Sequence, residues 1–145
     1  TEISTLSLHD ALPISIYKNG MANLMEQANI GASTIHHVGQ YDKLDTFPTK
    51  VFDYMSMELP VIVSDTEYAK KMNDLYHFAI CVNPENPDEI SNAINWLFTH
   101  PEQAIEMGKN GRKAIEESFN WEKESEKLIS FYEELSTNHR TFLSL

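Results

Sequence analysis

Two carboxylates and a lysine lie close together near the centre of this 145-residue chain. Asp45 and Asp53 are separated by seven residues, and Lys50 lies between them. Lys50 and Asp53 fall in a segment, residues 48–57, whose apolar positions have helical spacing. A helix N-terminus presents N–H groups without intrahelical partners and the positive end of the helix dipole, so residues 46–50 are candidates for binding a phosphate or carboxylate. On spacing alone, a solvated Lys50 and a surface-exposed Asp53 are the simpler interpretation.

Other polar residues form weaker candidates. His36, His37, Asp42 and Asp45 combine imidazoles and carboxylates, which are metal ligands, but a polar loop is the simpler interpretation and we expect no metal. Cys81 lies in an apolar run and is interpreted as a small buried residue. Since it is the only cysteine, it cannot form an internal disulfide.

Short apolar runs alternate with amphipathic segments along the chain. The runs predict strands at residues 29–35, 59–63 and 78–82. Helices are predicted at 48–57 and 67–75, from Asn86-Pro87, from Pro101 and after Asn120. Strands separated by helices predict a parallel α/β sheet, in which ligands bind at the carboxyl ends of the strands. The loop at residues 36–47 leaves such an end and leads into the helix that carries Lys50. Aromatic residues of the last helix, Trp121, Phe131 and Tyr132, are interpreted as packing residues.

The charge balance excludes some classes of partner. The chain has 11 Lys and Arg against 22 Asp and Glu, a net charge of −11. No basic stripe is present to neutralise phosphates, so we expect no nucleic acid as a partner, and the charge disfavours binding to an anionic membrane surface. No apolar run is long enough to predict a transmembrane segment.

The N-terminal segment has the pattern of a translated sequencing adapter. Residues 5–14 can be encoded by a common short-read adapter, and residues 1–3 fit its upstream part. We therefore predict that residues 1–15 are artefactual, that residues 16–135 hold the domain, and that residues 136–145 form a tail. An artefactual segment is excluded from inferences about the fold.

The central segment also carries a family resemblance. Residues 47–65, FPTKVFDYMSMELPVIVSD, resemble the segment P-x-K-x-F-E-Y-M-x-x-G-x-P-V-I-x-S-D of retaining GT-B glycosyltransferases of the family-4 type. The similarity continues through residues 78–97 and 107–135, and together these pieces are a specific signal. The resemblance implies a Rossmann-like parallel sheet flanked by helices, part of the C-terminal domain of a GT-B enzyme, with a helical C-terminal end.

The resemblance also implies roles for individual residues. Asp53 matches the carboxylate that binds the ribose of a nucleotide-sugar donor, and is one methylene shorter than the usual Glu. Asp45 matches the carboxylate near the transferred sugar and is the candidate catalytic residue. Thr49 and Lys50 would bind the donor diphosphate through backbone N–H groups and a positive charge, and Phe47 completes the donor-binding set.

Two departures and one gap accompany the resemblance. Glu58 stands where the family has Gly, so we expect the helix to lose its left-handed cap residue. Ala79 replaces a second family Gly. The basic pair that stabilises the leaving diphosphate, and the acceptor-binding domain, would precede Ile16, so we expect this chain to be inactive alone.

The expected function follows from the resemblance. The full-length parent would transfer a hexose from a UDP- or GDP-sugar to a glycan or lipid acceptor. It would act in the cytoplasm or peripherally at the inner membrane face. It would need no cofactor, because the nucleotide-sugar is a substrate. The alternatives are a non-catalytic nucleotide-binding or interaction module on the same fold, and another GT-B-like enzyme such as a sugar-nucleotide epimerase.

Overall fold

The architecture is a three-stranded parallel sheet flanked by helices. A computed structural model describes residues 25–36, 39, 43 and 45–142, with the backbone alone at 137–142. The predicted adapter, residues 1–15, lies outside the described residues. The strands follow the order β1, β2, β3, and are Gly31–Ser33, Val61–Ser64 and Ala79–Val82. The described helices are α1 (Thr49–Ser56), α2 (Glu67–Tyr76), α3 (Pro87–Thr99), α4 (Pro101–Glu117) and α5 (Trp121–Phe142). The predicted Rossmann-like α/β fold is confirmed.

The central strand is buried on both faces. In β2, Ile62 lies opposite Ala32 of β1 on one side and Ile80 of β3 on the other. Side chains of a strand alternate between the two faces. Val61 and Val63 pack in a cluster with α1, α2 and α4, whereas Ile62 packs in a second cluster with α3. This continuous burial explains why β2 has an uninterrupted apolar sequence.

Local capping residues begin three of the helices. The Thr66 hydroxyl accepts a hydrogen bond from Ala69 N at 3.1 Å and begins α2. Asn86 accepts from the backbone N–H groups of Asp88 and Glu89 and begins α3. The Asn120 side chain accepts from Lys123 N at 2.9 Å at the start of α5. These starts confirm the helices predicted from residue 67, from Asn86-Pro87 and after Asn120, because each start depends on residues within one turn.

The end of α1 corrects one expectation. Glu58 itself adopts the left-handed conformation, with φ 57°, so the backbone turn is retained without glycine. Arg112 of α4 supports this end by donating from Nη1 to the Ser56 carbonyl oxygen at 2.7 Å. The helix α4 is continuous through Gly108 and Gly111. These small residues allow α4 to lie directly against the end of α1.

The last helix differs from the sequence predictions in two ways. α5 continues to Phe142, through much of the predicted tail at 136–145. No proline or glycine interrupts this stretch, so the helix has no local stop signal. Trp121, Phe131 and Tyr132 are exposed by 54–70% rather than packed, because α5 makes few contacts with the other helices and strands. In the described part of the chain, no helix has the length and apolarity needed to cross a membrane.

Candidate functional site

A cavity of about 100 Å³ lies at the carboxyl ends of β1 and β2. The ends of these strands contribute Ser33 and Ser64, and the segment before α1 contributes Thr46 and Pro48. Thr66, at the N-terminus of α2, and His36, after β1, add further polar groups to the lining. The strand ends and two helix N-termini therefore meet at one place, as expected for a ligand site in a parallel α/β sheet.

Ser33 and Ser64 have different hydrogen-bonding states within this cavity. Ser64 Oγ donates to the Ile35 carbonyl oxygen at 2.6 Å, which holds the chain after β1 against the end of β2. Ser33 is only 3% exposed, and its Oγ has no hydrogen-bond partner among the described residues. A buried hydroxyl without a partner is costly, so Ser33 marks a place where a ligand or water fits.

The N-terminus of α1 is open, in contrast to that of α2. Pro48 occupies the cap position and no side chain caps the helix. Val51 N donates to the Pro48 carbonyl oxygen at 2.9 Å, whereas the N–H groups of Thr49 and Lys50 precede the regular helical bonds. Both residues are exposed. This terminus therefore has the donors and the dipole that favour an anionic group.

Asp53 lies on the same helix, one turn further on. Thr49 and Asp53 are four residues apart, which places them on one face of α1. Asp53 is exposed, so its carboxylate is accessible from solvent. The structure thus brings together three of the predicted donor-binding residues, Thr49, Lys50 and Asp53, on the first two turns of α1.

Phe47 has a different environment. It is 6% exposed, and its ring makes edge contacts with Phe52, Tyr68 and Phe78 at centroid distances of 5.9, 4.9 and 5.6 Å. The ring anchors the segment before α1 to the core. If Phe47 contributes to ligand binding, it therefore does so through its backbone, or because its buried ring fixes the position of Pro48.

Asp45 lies on another side of the same segment. It lines a groove with Tyr68 and with the first turns of α5, and it is absent from the described lining of the cavity. Burial raises the pKa of Tyr68, and the negative charge of Asp45 adds to the increase. Thr46 lines both the groove and the cavity. Thr49, Lys50 and Asp53 are not among the described lining residues of either the groove or the cavity.

The weaker sequence candidates have no assembled site. Among the described residues, no cluster of His, Cys, Asp and Glu is arranged for a metal ion, and His37 and Asp42 lie outside that part. Burial, reinforced by the charge of Asp65, raises the pKa of Cys81 to about 11. The thiol is therefore protonated at neutral pH, as expected for a structural cysteine rather than a nucleophile.

His36, Thr46 and Phe47 of the cavity lining were among the sequence-based site candidates, whereas Ser33 and Ser64 were not. Ser33 lies inside the predicted strand at residues 29–35, and Ser64 directly follows the predicted strand at residues 59–63. A polar residue on the buried face of a short strand is the available sequence signal. That signal does not distinguish a ligand contact from an internal hydrogen bond such as the one Ser64 makes to Ile35.

The α/β fold agrees with what sequence comparison finds. A protein-family model described as "glycosyl transferases group 1" matches residues 3–114. The chain therefore belongs to this glycosyltransferase family. The match begins inside the segment predicted to be a translated adapter, and that origin stays a prediction. No curated protein sequence matches the chain.

A solved structure has the same fold over most of the chain. Sucrose-phosphate synthase from Thermosynechococcus elongatus superposes with a TM-score of 0.71 at 22% sequence identity. The matched region covers 86% of this chain but 29% of the synthase. At this identity the likeness shows the fold alone, and the chain spans less than a third of the length of that enzyme.

Proposed function

We propose that this chain is the donor-binding part of the C-terminal domain of a retaining GT-B glycosyltransferase of the family-4 type. The full-length parent transfers a hexose from a UDP- or GDP-sugar to a glycan or lipid acceptor. It acts in the cytoplasm, or peripherally at the inner membrane face, and uses neither a metal nor a cofactor. The chain alone is catalytically inactive.

One observation carries this proposal. The uncapped N-terminus of α1 lies at the carboxyl ends of the strands, and Thr49, Lys50 and Asp53 share its first two turns. Backbone N–H groups and a lysine suit a diphosphate, and a carboxylate one turn away suits the paired hydroxyls of a ribose. Membership of a glycosyltransferase family supports a nucleotide-sugar, which carries both a diphosphate and a ribose, as the ligand.

The chemistry divides between this chain and the rest of the parent. In glycosyl transfer, the bond from the sugar to the diphosphate breaks and a bond to an acceptor oxygen forms. Thr49 and Lys50 hold the diphosphate, Asp53 orients the nucleoside, and Asp45 faces the sugar side. Basic residues supplied from outside this chain stabilise the charge that develops on the leaving diphosphate. Without them, the chain binds donor but does not transfer sugar.

Calorimetric titration of the chain with UDP and GDP tests the assignment. A hydrogen bond to a charged group contributes about 1.5–3 kcal/mol, so Asp53→Ala is expected to weaken binding about 10- to 100-fold. Asp53→Glu restores the longer carboxylate and retains binding. Asp74→Ala removes an exposed carboxylate from α2 and is the matched control. Unchanged affinity in Asp53→Ala would remove the ribose assignment.

The position of Asp45 supports a second candidate function. Its place beside Tyr68, rather than in the lining of the cavity, fits a non-catalytic nucleotide-binding module on the same fold. In that case Asp45→Asn in the full-length parent leaves nucleotide binding unchanged and there is no transferase activity to lose. For a transferase, the same change lowers kcat while the donor affinity stays near the wild-type value.

A further inference from the structure

The cavity beside α1 has mainly apolar walls. Val51, Val63 and Ala69 contribute aliphatic side chains, and Phe47 and Pro48 add further apolar surface. Among the described lining residues none is Lys, Arg, Asp or Glu, and His36 is the one titratable side chain. A charged group placed here would lose its hydration without a lysine, an arginine or a carboxylate to pair with, so the cavity favours an uncharged occupant.

The occupant must also form a hydrogen bond. Ser33 Oγ is buried and has no partner among the described residues, and Ser33 is one of the residues that line the same cavity. A purely apolar group would fill the volume and leave this hydroxyl without a partner, at a free-energy cost. A single hydroxyl or water would bond to Ser33 and leave most of the space of about 100 Å³ next to apolar walls.

We propose that this cavity takes the acetamido group of an N-acetylhexosamine donor. The amide bonds to Ser33, and the methyl packs against Val51, Val63 and Ala69. This proposal rests on the proposed function, because it treats the cavity as an extension of the nucleotide-sugar site. It narrows the donor from any hexose to a sugar that carries an acylamino substituent.

Only a few residues of the chain separate the cavity from the proposed diphosphate-binding residues. Thr46 and Pro48, which line the cavity, lie between Asp45 on the sugar side and Thr49 at the diphosphate. The sugar is bonded directly to the diphosphate, so a substituent on it lies within reach of the same segment. The cavity therefore sits where it discriminates between sugars that share one nucleotide.

Titration with UDP, UDP-glucose and UDP-N-acetylglucosamine separates the two proposals. UDP binding tests the donor site, and the ratio of affinities for the two sugars tests the cavity. We expect the acetamido sugar to bind about tenfold more tightly than UDP-glucose. In Ser33→Ala that preference is expected to fall to about twofold while UDP affinity is unchanged. Ser91→Ala, an exposed change on α3, is the control and retains the full preference.

A second measurement covers the case in which the chain binds no UDP, which would contradict the proposed function. Amide chemical shifts of the chain are then compared in methyl N-acetylglucosaminide and methyl glucoside. Shifts at Ser33 and Val63 with the acetamido sugar alone support the cavity assignment. Equal affinities for the two UDP-sugars, or equal shifts with the two glycosides, overturn it. Circular dichroism of Ser33→Ala excludes loss of folding as the cause.

Discussion

Glu58 holds a backbone conformation that L-residues with a Cβ adopt at a cost. Its φ of 57° lies in the left-handed region, where Gly has no such penalty. The family resemblance places Gly at this position, and Glu retains the turn because its surroundings fix it. Arg112 bonds to the Ser56 carbonyl oxygen, and Glu58 N donates to the Met55 carbonyl oxygen at 3.2 Å. Strain at one residue is therefore offset by contacts of its neighbours.

Glu58→Gly is expected to stabilise the chain. Removing the Cβ relieves about 1 kcal/mol of left-handed strain, which for a chain of this size corresponds to a rise in Tm of about 2–4 °C. Glu58→Ala keeps the Cβ and is the matched control, with no gain expected. Thermal unfolding followed by circular dichroism makes the comparison. A gain of equal size in both variants would show that charge, rather than backbone conformation, is responsible.

Cys81 is expected to make the folded chain less stable at alkaline pH. Burial raises the pKa of its thiol from the usual value near 9 to about 11, so the folded chain holds this proton where the unfolded chain has lost it. The contribution of Cys81 to stability is therefore complete below pH 9 and declines as pH rises from 9 towards 11. Cys81→Ala is expected to lose less Tm over that interval than the wild type. Parallel pH profiles of the two proteins would contradict the buried, protonated thiol.

At the scale of elements, α1 and α4 pack closely because two glycines lie at their contact. A Cβ built at Gly108 would overlap the carbonyl oxygen of Glu58, and one at Gly111 would press on Met55. Glycine is ordinarily a poor residue inside a helix. Its presence here lets the two helices approach closely where Arg112 also bridges them. The approach fixes the C-terminal end of the helix whose N-terminal end carries the proposed donor site.

Gly108→Ala is therefore expected to destabilise, although Ala has the higher helix propensity. The added methyl meets backbone atoms and α4 must shift, at a cost of about 1–3 kcal/mol. Lys109→Ala, at an exposed neighbouring position, is expected to change stability by less than about 0.5 kcal/mol. Urea unfolding of both variants measures the difference. A Gly108→Ala protein more stable than the wild type would show that the helices are not in close contact.

Local signals explain which elements could be predicted from the sequence. The start of α3 follows from Asn86-Pro87, and the three strands follow from apolar runs, because each depends on neighbouring residues. The placement of Asp45 beside Tyr68 depends on how residues distant in sequence pack. The unpartnered hydroxyl of Ser33 likewise depends on the strand and helix ends that surround it. Capping patterns and periodicity contain no information about such non-local contacts.

At the scale of the whole molecule, apolar surface is concentrated on α5. Trp121, Leu128 and Tyr132 are spaced by seven and four residues, which places them on one helix face, and they are 70%, 45% and 62% exposed. Leu135 extends the same face. Among the described strands, β1 pairs only with β2, and its Ala32 is exposed. Exposed apolar stripes and unpaired strand edges favour association.

The chain is therefore expected to associate as its concentration rises, and more strongly in salt, because screening weakens the mutual repulsion of molecules with a net charge of −11. Replacing both Leu128 and Tyr132 by Glu puts charge on the apolar face and should restore a monomer in sedimentation velocity experiments. Ser130→Glu adds charge on the opposite face of α5 and is the control, which should associate as the wild type does. If the double variant still associates, the contact uses another surface, and the edge of β1 becomes the first alternative. If the wild type stays monomeric at high concentration and in salt, the stripe on α5 is too weak to drive association.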